Sequence, residues 1–321
     1  MPESIQFDSF RGDFASLAAV MKRSWSESRS QSLLYDEPFL RSAFQYPGSS
    51  FELAPTLYID GSPAAFVAGF PRNVFLDGRP LRLLCITFWT TAAEFKGKGY
   101  GARIWMEILR RAREFGYDGA VNFCVDGELS NGIVISCGAR AGAQVSLVSR
   151  VKYLARLIRP AEARQSPPNL DSVDIFLRAA SRISAPLNLL RIWSREEAEW
   201  QCVRRWGALS SAHAETARCG IATGYLTEFS GDAAARALIV DDLLWSDLES
   251  EERVQVMGNL LAQGSAQGAQ IAVVPLLGYA ETDALRTVGF RQSRRLMNLY
   301  LTVWGGVPLP QDLTSIYLDV Y

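Results

Sequence analysis

The spacing of apolar residues changes along the first 90 residues from a helical to a strand pattern. The segment "FASLAAVMKRSW" has helical spacing, whereas "TLYI", "PAAFVAGFPRNVF" and "PLRLLCITFWTT" are rich in β-branched and aromatic residues. These three runs are joined at Asp60-Gly61 and Asp77-Gly78, a residue pair that favours tight hairpin turns. The pattern predicts a helix followed by an antiparallel three-stranded meander.

A helix and a buried strand are predicted next. Residues 102–115 carry a helical stripe of apolar residues, and Gly116 supplies a stop before the apolar run "GAVNFCV". A short helix is predicted in "SNGIVISCGARAG" and a further strand in "QVSLVSRVKYLARLI". These elements complete a first domain at residues 1–158.

The second half repeats this order of elements. Helical "SVDIFLRAASRI" and "REEAEWQCVRRWGAL" precede strands "GIATGYLTEF" and "ARALIVDDLLW", which flank a turn at residues 230–232. Helix "ERVQVMGNLLAQG", strand "AQIAVVPLL", and "ETDALRTVGF" before "RRLMNLYLTVW" follow. The proline-rich residues 159–170 form the predicted linker, and residues 171–321 the second domain. We predict an α/β (α+β) fold with two tandem domains, each a mixed, mainly antiparallel sheet flanked by helices.

Composition narrows the class of protein. The chain has 321 residues, 48% of them hydrophobic, and a formal charge of -1. No global field therefore draws it to nucleic acid or to an anionic membrane. The N-terminus lacks a signal-peptide layout and no window holds about 18 consecutive apolar residues. The sequence predicts a cytoplasmic protein with no nucleic-acid or membrane partner.

The cysteines and the histidine carry little chemistry. Five scattered cysteines without a CxxC pair are typical of reduced packing residues, and the single His213 excludes a histidine-rich metal site. We therefore predict no metal. Cys137 as a nucleophile is the alternative, but no histidine lies near it in sequence, so a packing role is favoured.

The stretch "TTAAEFKGKGYGARIW" at residues 90–105 is the strongest chemical signal. Three alternating glycines stand at the mouth of a predicted helix, where backbone amides and the helix dipole form an anion site. Lys96 and Lys98 add positive charge for a polyanion. The competing interpretation is a glycine-rich turn with two solvated lysines.

A dinucleotide site is a second alternative for the same glycines. Residues 97–102 also fit GxGxxG/A, and Asp126 follows the next strand where a ribose-binding acid is expected. The first glycine, however, lies several residues beyond the strand end, and the preceding strands are linked by hairpins rather than by crossover helices. A P-loop is excluded because no GKS or GKT follows.

The order strand, glycine loop, amphipathic helix, strand and short helix resembles the GCN5-related N-acetyltransferases. Their loop signature, Arg or Gln-x-x-Gly-x-Gly or Ala, corresponds to Lys96-Gly97-Lys98-Gly99-Tyr100-Gly101, with lysine in first position. The resemblance covers roughly residues 50–155, and the second half by layout only. It implies two tandem acetyltransferase-like domains, the second degenerate, and acetyl-coenzyme A or another acyl-coenzyme A as cofactor.

The resemblance also implies site residues. The loop would wrap the pyrophosphate and the preceding strand end would bond the pantetheine arm. The predicted cofactor-binding residues are Trp89, Thr90, Thr91, Lys96, Gly97, Lys98, Gly99, Tyr100, Gly101, Ala102 and Asn131. Asp126 and Glu128 are the predicted catalytic carboxylates, although two carboxylates in a polar loop are also commonly solvated. The family's tyrosine in the short helix is absent here.

The acceptor side is predicted in "YDEPFLRSAFQYP". This segment occupies the region that lies over the substrate groove in the family, and Tyr35, Asp36, Glu37 and Tyr46 suit a cationic amine. A packed surface loop explains the segment equally well. The implied partner is a small-molecule or peptide amine.

The predicted function is acyl-coenzyme A-dependent N-acyltransfer to an amine. A non-catalytic acyl-coenzyme A sensor is the alternative that the missing tyrosine keeps open, and a purely structural protein is a third. Because the second half has only "SDLES" before its helix, we expect cofactor binding in the first half alone.

Overall fold

The computed structural model of the protein describes residues 5–26, 33–159, 171–183, 187–229, 235–309, 313 and 315–319. The described residues form two compact units. The first takes them from Met1–Arg150 and Leu296–Leu313, and the second from Val151–Arg295 and Thr314–Val320. The last long strand of the chain therefore contributes to the first unit as well as to the second.

The first half of the chain alternates strands and helices in the predicted order. Its elements are β1 (Ile5–Ser9), α1 (Phe14–Ser26), β2 (Leu33–Leu34), α2 (Glu37–Ala43), β3 (Pro55–Ile59), β4 (Ser62–Leu76), β5 (Arg79–Thr91), α3 (Tyr100–Glu114), β6 (Gly119–Val125), α4 (Leu129–Arg140) and β7 (Gln144–Leu157).

The sheet of the first unit is mainly antiparallel. Its strand order is β1-β3-β4-β5-β6, followed by the part of β13 (Arg291–Val303) that begins at Leu296. Only β5 and β6 run parallel to each other, and α3 is the crossover between them. The tight turns at Asp60-Gly61 and Asp77-Gly78 have positive φ angles at all four residues, as a type I′ hairpin requires. The predicted meander is confirmed.

Two apolar layers hold this unit together. On one face, Ile104, Trp105 and Ile108 of α3 pack against strand residues such as Leu84. The other face carries an aromatic cluster, in which Phe10 makes close ring contacts with Phe14, Phe44, Phe51 and Phe66. Burial of aromatic rings is among the largest sources of hydrophobic stabilisation, at about 1.5–3 kcal/mol per large side chain. The sheet is therefore fixed from both sides.

The second half supplies the remaining elements. They are α5 (Ser172–Ala180), β8 (Leu189–Ile192), α6 (Arg195–Glu199), β9 (Ala208–Ala214), β10 (Cys219–Phe229), β11 (Ala235–Leu244), α7 (Ser250–Ala266), β12 (Ile271–Leu276), α8 (Asp283–Thr287), β13 and β14 (Ile316–Tyr317). A π-helical turn at Trp200–Arg204 continues α6.

The second unit repeats the arrangement of the first. Strands β9, β10 and β11 are antiparallel, β12 pairs parallel to β11, and residues 152–157 of β7 pair with β12. Helix α7 packs Met257, Leu260 and Leu261 on one face of this sheet, and α5 packs Phe176 and Ile175 on the other. The predicted repeat of helices and strands is confirmed.

Several sequence expectations differ from the structure. Helix α3 begins at Tyr100, two residues before its predicted start. Strands β1 and β9 and the π-helical turn carry too little periodicity to predict. Met297–Val303, predicted as part of the second domain, pairs with β6 in the first unit. Residues 160–170 of the predicted linker and the turn at residues 230–232 lie outside the described part of the chain.

Candidate acyl-coenzyme A site

The glycine loop leaves open space in front of helix α3. Gly97 and Gly99 have φ angles of +81° and +78°, and a Cβ built on either would meet no described atom within 4 Å. Residues other than glycine adopt this conformation at a cost of about 1–2 kcal/mol. The two glycines therefore serve the path of the backbone and keep the space beside it clear for a ligand.

The first turn of α3 is free to bind an anion. Gly99 is the N-cap and no side chain caps the helix. The first intrahelical bond is donated by the Arg103 amide to the Gly99 carbonyl, at 3.1 Å. The amides before it, at residues 99–102, precede the intrahelical ladder, and the helix dipole adds partial positive charge there. The use of this helix start as a phosphate cradle stays a prediction.

The two loop lysines have different partners. Lys96 Nζ donates to the backbone oxygen of Ser24 at 2.8 Å, which ties the loop to the end of α1. Lys98 Nζ lies 4.8 Å from the ring centre of Phe95 and its side chain is exposed. Lys98 thus offers its charge to an anionic ligand without a hydrogen bond to break among the described residues, while Lys96 also holds the loop in place.

The parallel strands β5 and β6 part next to this loop. Their register runs from Leu83 opposite Gly119 to Ile86 opposite Asn122, and no further pair joins them among the described residues. Beyond Ile86, strand β5 continues for five residues to Thr91. Backbone groups of β5 that face the gap are therefore available to an extended ligand.

A β-bulge marks the same part of β5. Phe66 pairs with Thr90 and Ala68 with Thr87, so Phe88 and Trp89 both lie opposite Val67. Phe88 has a φ angle of +57°, which is an outlier for a bulky residue. Its buried ring packs 5.0 Å from Tyr35 and 5.9 Å from Phe70. These contacts stabilise a strained backbone of the kind that clusters at functional sites.

Polar groups without partners line the end of β5. Thr90 Oγ1 and Trp105 Nε1 are both buried and have no hydrogen-bond partner among the described residues. The rings of Trp89 and Trp105 lie 4.6 Å apart, and a Cβ on Gly101 would lie 3.2 Å from Thr91 Oγ1. Gly101 is thus required for the close approach of α3 to β5. Buried polar groups without partners are rare and need an explanation such as a bound ligand.

Asn131 is held by the protein itself. Its Nδ2 donates to the backbone oxygens of Val125 and Glu128, each at 2.8 Å, and its Oδ1 accepts two further hydrogen bonds. Glu128 is the exposed N-cap of α4 and makes no side-chain cap bond. Asp126 is exposed, and its Oδ1 accepts a bond from Asn298 at 2.8 Å. The structure therefore brings the three predicted residues together at the end of β6.

Two residues at this point were missed by sequence reasoning. Asn298 and Tyr300 lie on the part of β13 that pairs with β6, opposite Cys124 and Asn122. Tyr300 Oη donates to Asn131 Oδ1 at 3.1 Å, and burial raises the pKa of its hydroxyl. The signal was the alternation in "MNLYLTV", where Asn298, Tyr300 and Thr302 form a polar stripe in a buried strand.

The cysteines of the first unit are packing residues. Cys85, Cys124 and Cys137 are all buried and free. Burial raises the pKa of Cys124 to about 11 and also raises the pKa of Cys137. Because the thiolate is the reactive form, neither is suited to be a nucleophile. The predicted packing role is consistent with this environment.

The predicted acceptor residues make internal contacts. Asp36 is the N-cap of α2 and its Oδ1 accepts from the Phe39 amide at 2.8 Å. Tyr35 is buried and stacks on Phe39 at 4.7 Å. Tyr46 is buried under the Arg72 guanidinium, 4.2 Å from its ring centre. These contacts are those of a packed helix start, whereas the alternative interpretation of the segment was a packed surface loop.

The second unit has a corresponding gap between β11 and β12, and the side chain of Tyr279 enters it. Strands β11 and β12 are registered only from Ala237 opposite Ile271 to Ile239 opposite Val273. Beyond that point Tyr279 Oη accepts from the Leu243 amide at 2.9 Å. A cavity of about 170 Å³ remains beside it, lined mainly by apolar side chains. Helix α7 begins with Glu249 as N-cap and Glu251 and Glu252 in its first turn.

A buried carboxylate pair lies on β11. Asp241 forms an ion pair with Arg205 at 2.6 Å, whereas Asp242 accepts from Gln201, Thr223 and Tyr317 at 2.6–2.9 Å. Burial, together with the neighbouring charge of Asp241, raises the pKa of Asp242 to about 7. Asp241 is the extra residue of a bulge opposite Thr223 and Gly224. This position corresponds to the bulge on β5.

One group among the described residues has the composition of a metal site. His213, Glu215 and Glu252 offer ligand atoms within 4.8 Å of one another. The Arg218 guanidinium also lies 3.1 Å from Glu252 and 3.6 Å from Glu215. A cation is thus already supplied by the protein, and the group is a surface charge network.

Comparison with known protein families identifies part of the chain. Residues 14–132 match the sequence model of the acetyltransferase (GNAT) family. No curated protein sequence matches the chain. Within the described residues, no helix combines the length and the apolar character needed to cross a bilayer.

Solved structures share the fold at low identity. One Saccharomyces cerevisiae N-myristoyltransferase structure with bound myristoyl-CoA has a TM-score of 0.75 and 12% identity, over 93% of this chain and 78% of that one. Another structure of the same enzyme, with bound myristoyl-CoA and inhibitors, has a TM-score of 0.73 and 13% identity, over 95% of this chain and 81% of that one. The structure of a GCN5-related N-acetyltransferase from Anabaena variabilis has a TM-score of 0.54 and 12% identity, over 93% of this chain and 72% of that one.

The family match over residues 14–132 supports an N-acyltransferase, and the solved structures show the same fold. Residues 14–132 match the GNAT acetyltransferase family, which confirms the resemblance identified in the sequence for this part of the chain.

Proposed function

We propose that the protein transfers an acyl group, in the first instance acetyl, from acyl-coenzyme A to an amine, at a single site in the first unit. The observation that carries the proposal is the open, uncapped start of α3 at Gly99 beside the parted strands β5 and β6. Convergent amides and a helix dipole favour a pyrophosphate. A gap with free strand edges favours an extended arm that carries amides.

The residues present fit such a cofactor. Gly97 to Ala102 would hold the pyrophosphate through backbone amides, with Lys98 adding charge. The edge of β5 from Ile86 to Thr91 spans about 16 Å at roughly 3.3 Å per residue, which suits an extended chain. Thr90 Oγ1, which has no partner among the described residues, would contribute a hydrogen bond at the same edge. The cofactor supplies an activated thioester when it is bound.

The chain's own groups would then serve the acceptor. The reaction forms one N–C bond and breaks one C–S bond, and the ammonium form of the amine loses two protons overall, one of which ends on the thiol. Asp126 is the proposed proton acceptor because it lies at the exposed end of β6 and is oriented by Asn298. Glu128 lies at the start of α4 as a second candidate. Asn131 is proposed to fix the start of α4 against the site.

Thermal unfolding with coenzyme A tests the cofactor. A ligand that binds only the folded state stabilises it by about 2.7 kcal/mol at a hundredfold excess over its Kd. Coenzyme A should therefore raise the Tm, and NAD should do far less. A larger shift with NAD would favour the dinucleotide alternative instead.

Thiol release from acetyl-coenzyme A tests the transfer. The protein is incubated with a panel of amines and free thiol is measured against a no-amine control. Amine-dependent release supports the enzyme. Tight coenzyme A binding without release for any amine would favour the sensor.

A further inference from the structure

The hydrogen bonds at the end of β6 fix the direction of every donor in a small network. Asn131 Nδ2 faces two backbone carbonyls, at Val125 and Glu128, so its Oδ1 must face the other way. That oxygen accepts from Asn298 Nδ2 at 2.9 Å and from Tyr300 Oη at 3.1 Å. Rotating the Asn131 amide by 180° would set oxygen against oxygen, so its orientation is determined.

The same logic fixes Asn298. Its Nδ2 donates one hydrogen to Asn131 Oδ1 and the other to Asp126 Oδ1 at 2.8 Å. Both acceptors are oxygens, so only the amide nitrogen of Asn298 can face them. An amide nitrogen has two hydrogens, and both are now used. Asn298 Oδ1 therefore points away from the network.

The outward side of the network presents only acceptors. Asn298 is only 4% exposed, and its Oδ1 is buried and has no hydrogen-bond partner among the described residues. Tyr300 has given its one hydroxyl hydrogen to Asn131, so it offers lone pairs. Asp126 is exposed and has a second carboxylate oxygen available. Asn122 Oδ1, on the same face of β6, is also buried without a partner.

An acceptor buried without a hydrogen-bond donor destabilises the folded protein, so its retention calls for a donor that arrives with a ligand. We propose that Asn298 Oδ1, together with Asp126, binds the amino group of the acceptor. This inference rests on the proposed N-acyltransferase function. It places the acceptor on β6 and β13, not on the segment from Tyr35 to Tyr46.

The chemistry of the ligand follows from the acceptors. A primary ammonium carries three N–H groups and no lone pair, so it can satisfy Asn298 Oδ1 and the Asp126 carboxylate at once. A quaternary ammonium has the same charge but no donor. It should therefore be rejected.

The test compares Asn298→Leu with Thr302→Val. Thr302 is a buried residue four positions further along the same face of β13 and serves as a matched control for packing. For Asn298→Leu we expect the KM for n-butylamine to rise at least tenfold, about 1.4 kcal/mol. The Kd for coenzyme A, measured by calorimetry, should stay within twofold in both variants. Thr302→Val should leave the KM for the amine unchanged.

A second measurement does not depend on the variants folding. Binding of n-butylamine and of butyltrimethylammonium to the wild-type protein with coenzyme A present is followed by ligand NMR line broadening. Only the primary amine should bind. Equal binding of the two cations, or an unchanged amine KM in a folded Asn298→Leu, would overturn this inference while coenzyme A binding still upheld the proposed function. Failure of coenzyme A to bind would instead refute the proposed function.

Discussion

Tyr279 places its hydroxyl oxygen 2.9 Å from the backbone nitrogen of Leu243 and accepts that amide's hydrogen bond. Leu243 lies on β11 beyond its last registered pair with β12, where an extended ligand would otherwise bond the strand edge. The second unit therefore satisfies with its own side chain a backbone group at its gap. The corresponding edge of β5 in the first unit keeps an unpartnered Thr90 hydroxyl instead.

This difference predicts one coenzyme A per chain. The second unit also begins α7 with Glu249, Glu251 and Glu252, whose charges suit the helix dipole but repel a polyphosphate. Isothermal calorimetry should give a stoichiometry of one. The variant Tyr279→Phe should keep that stoichiometry, because the acidic helix start remains. Two equivalent sites per chain would contradict the assignment to the first unit.

Gly99→Ala is predicted to weaken coenzyme A binding at least tenfold, about 1.4 kcal/mol. The added methyl group enters the open space before α3, and the positive φ angle of Gly99 becomes strained. Gly78→Ala is the matched control, because Gly78 has a φ angle of +79° and is equally free of neighbours, but lies in a hairpin turn. Both variants should lose a similar 1–2 kcal/mol or so of stability. Equal coenzyme A affinities in the two would mean that the loop is only a turn.

Gly101→Val should disturb the same site differently. A Cβ at this position lies 3.2 Å from Thr91 Oγ1, so a branched side chain pushes α3 away from β5. We expect a loss of stability of about 1–3 kcal/mol together with weaker coenzyme A binding. Urea unfolding and calorimetry on the same samples measure both effects. Normal stability with normal binding would show that the approach of α3 to β5 is not needed.

Because of Asp242, the free energy of unfolding should fall as the pH rises from about 4 to about 7. Burial raises its pKa to about 7, so in this range the folded protein holds a proton that the unfolded chain has lost. Its contribution is complete at low pH and is lost as the pH passes through the folded pKa. The effect is on the order of 2–4 kcal/mol. Arg205, Asp241, Asp319, Tyr279 and Tyr317 are the ionisable groups around it.

Urea unfolding of Asp242→Asn between pH 4.5 and 8 measures this contribution. The free energy of unfolding of the variant should fall much less over this pH range than that of the wild type, because asparagine stays neutral. Asp171→Asn is the control, since asparagine caps α5 as well as aspartate does and should leave the wild-type profile unchanged. Parallel pH profiles for wild type and Asp242→Asn would show that Asp242 does not titrate in this range.

The cysteines should be unreactive in the native protein. All five are buried, and burial raises the pKa of Cys124 to about 11. Alkylation by iodoacetamide at pH 8 should be at least about a hundredfold slower than in urea, because burial keeps the reagent from the thiols and lowers the thiolate fraction of Cys124. Mass spectrometry of the intact chain counts the modified thiols. Rapid labelling of Cys137 alone, with loss of transfer, would revive the nucleophile alternative.

Local signals explain what the sequence could predict. The hairpins at Asp60-Gly61 and Asp77-Gly78 and the loop glycines before α3 each depend on neighbours in the chain, so their residue types suffice. The bulge at Phe88 could not be predicted, because its strained backbone is stabilised by rings from Tyr35 and Phe70, which are distant in sequence. The same holds for the pairing of Tyr300 with Asn122, which joins residues 178 positions apart.

That long-range pairing has a consequence for synthesis on the ribosome. Strand β6 ends at Val125, but the part of β13 that pairs with it begins at Met297. At about 5–20 residues per second, the intervening chain of about 170 residues takes roughly 10–35 s to emerge. During that time β6 lacks this neighbour, and its free edge is open to pairing with other nascent chains. We expect the emerging N-terminal half to be a client of chaperones until the last strand arrives.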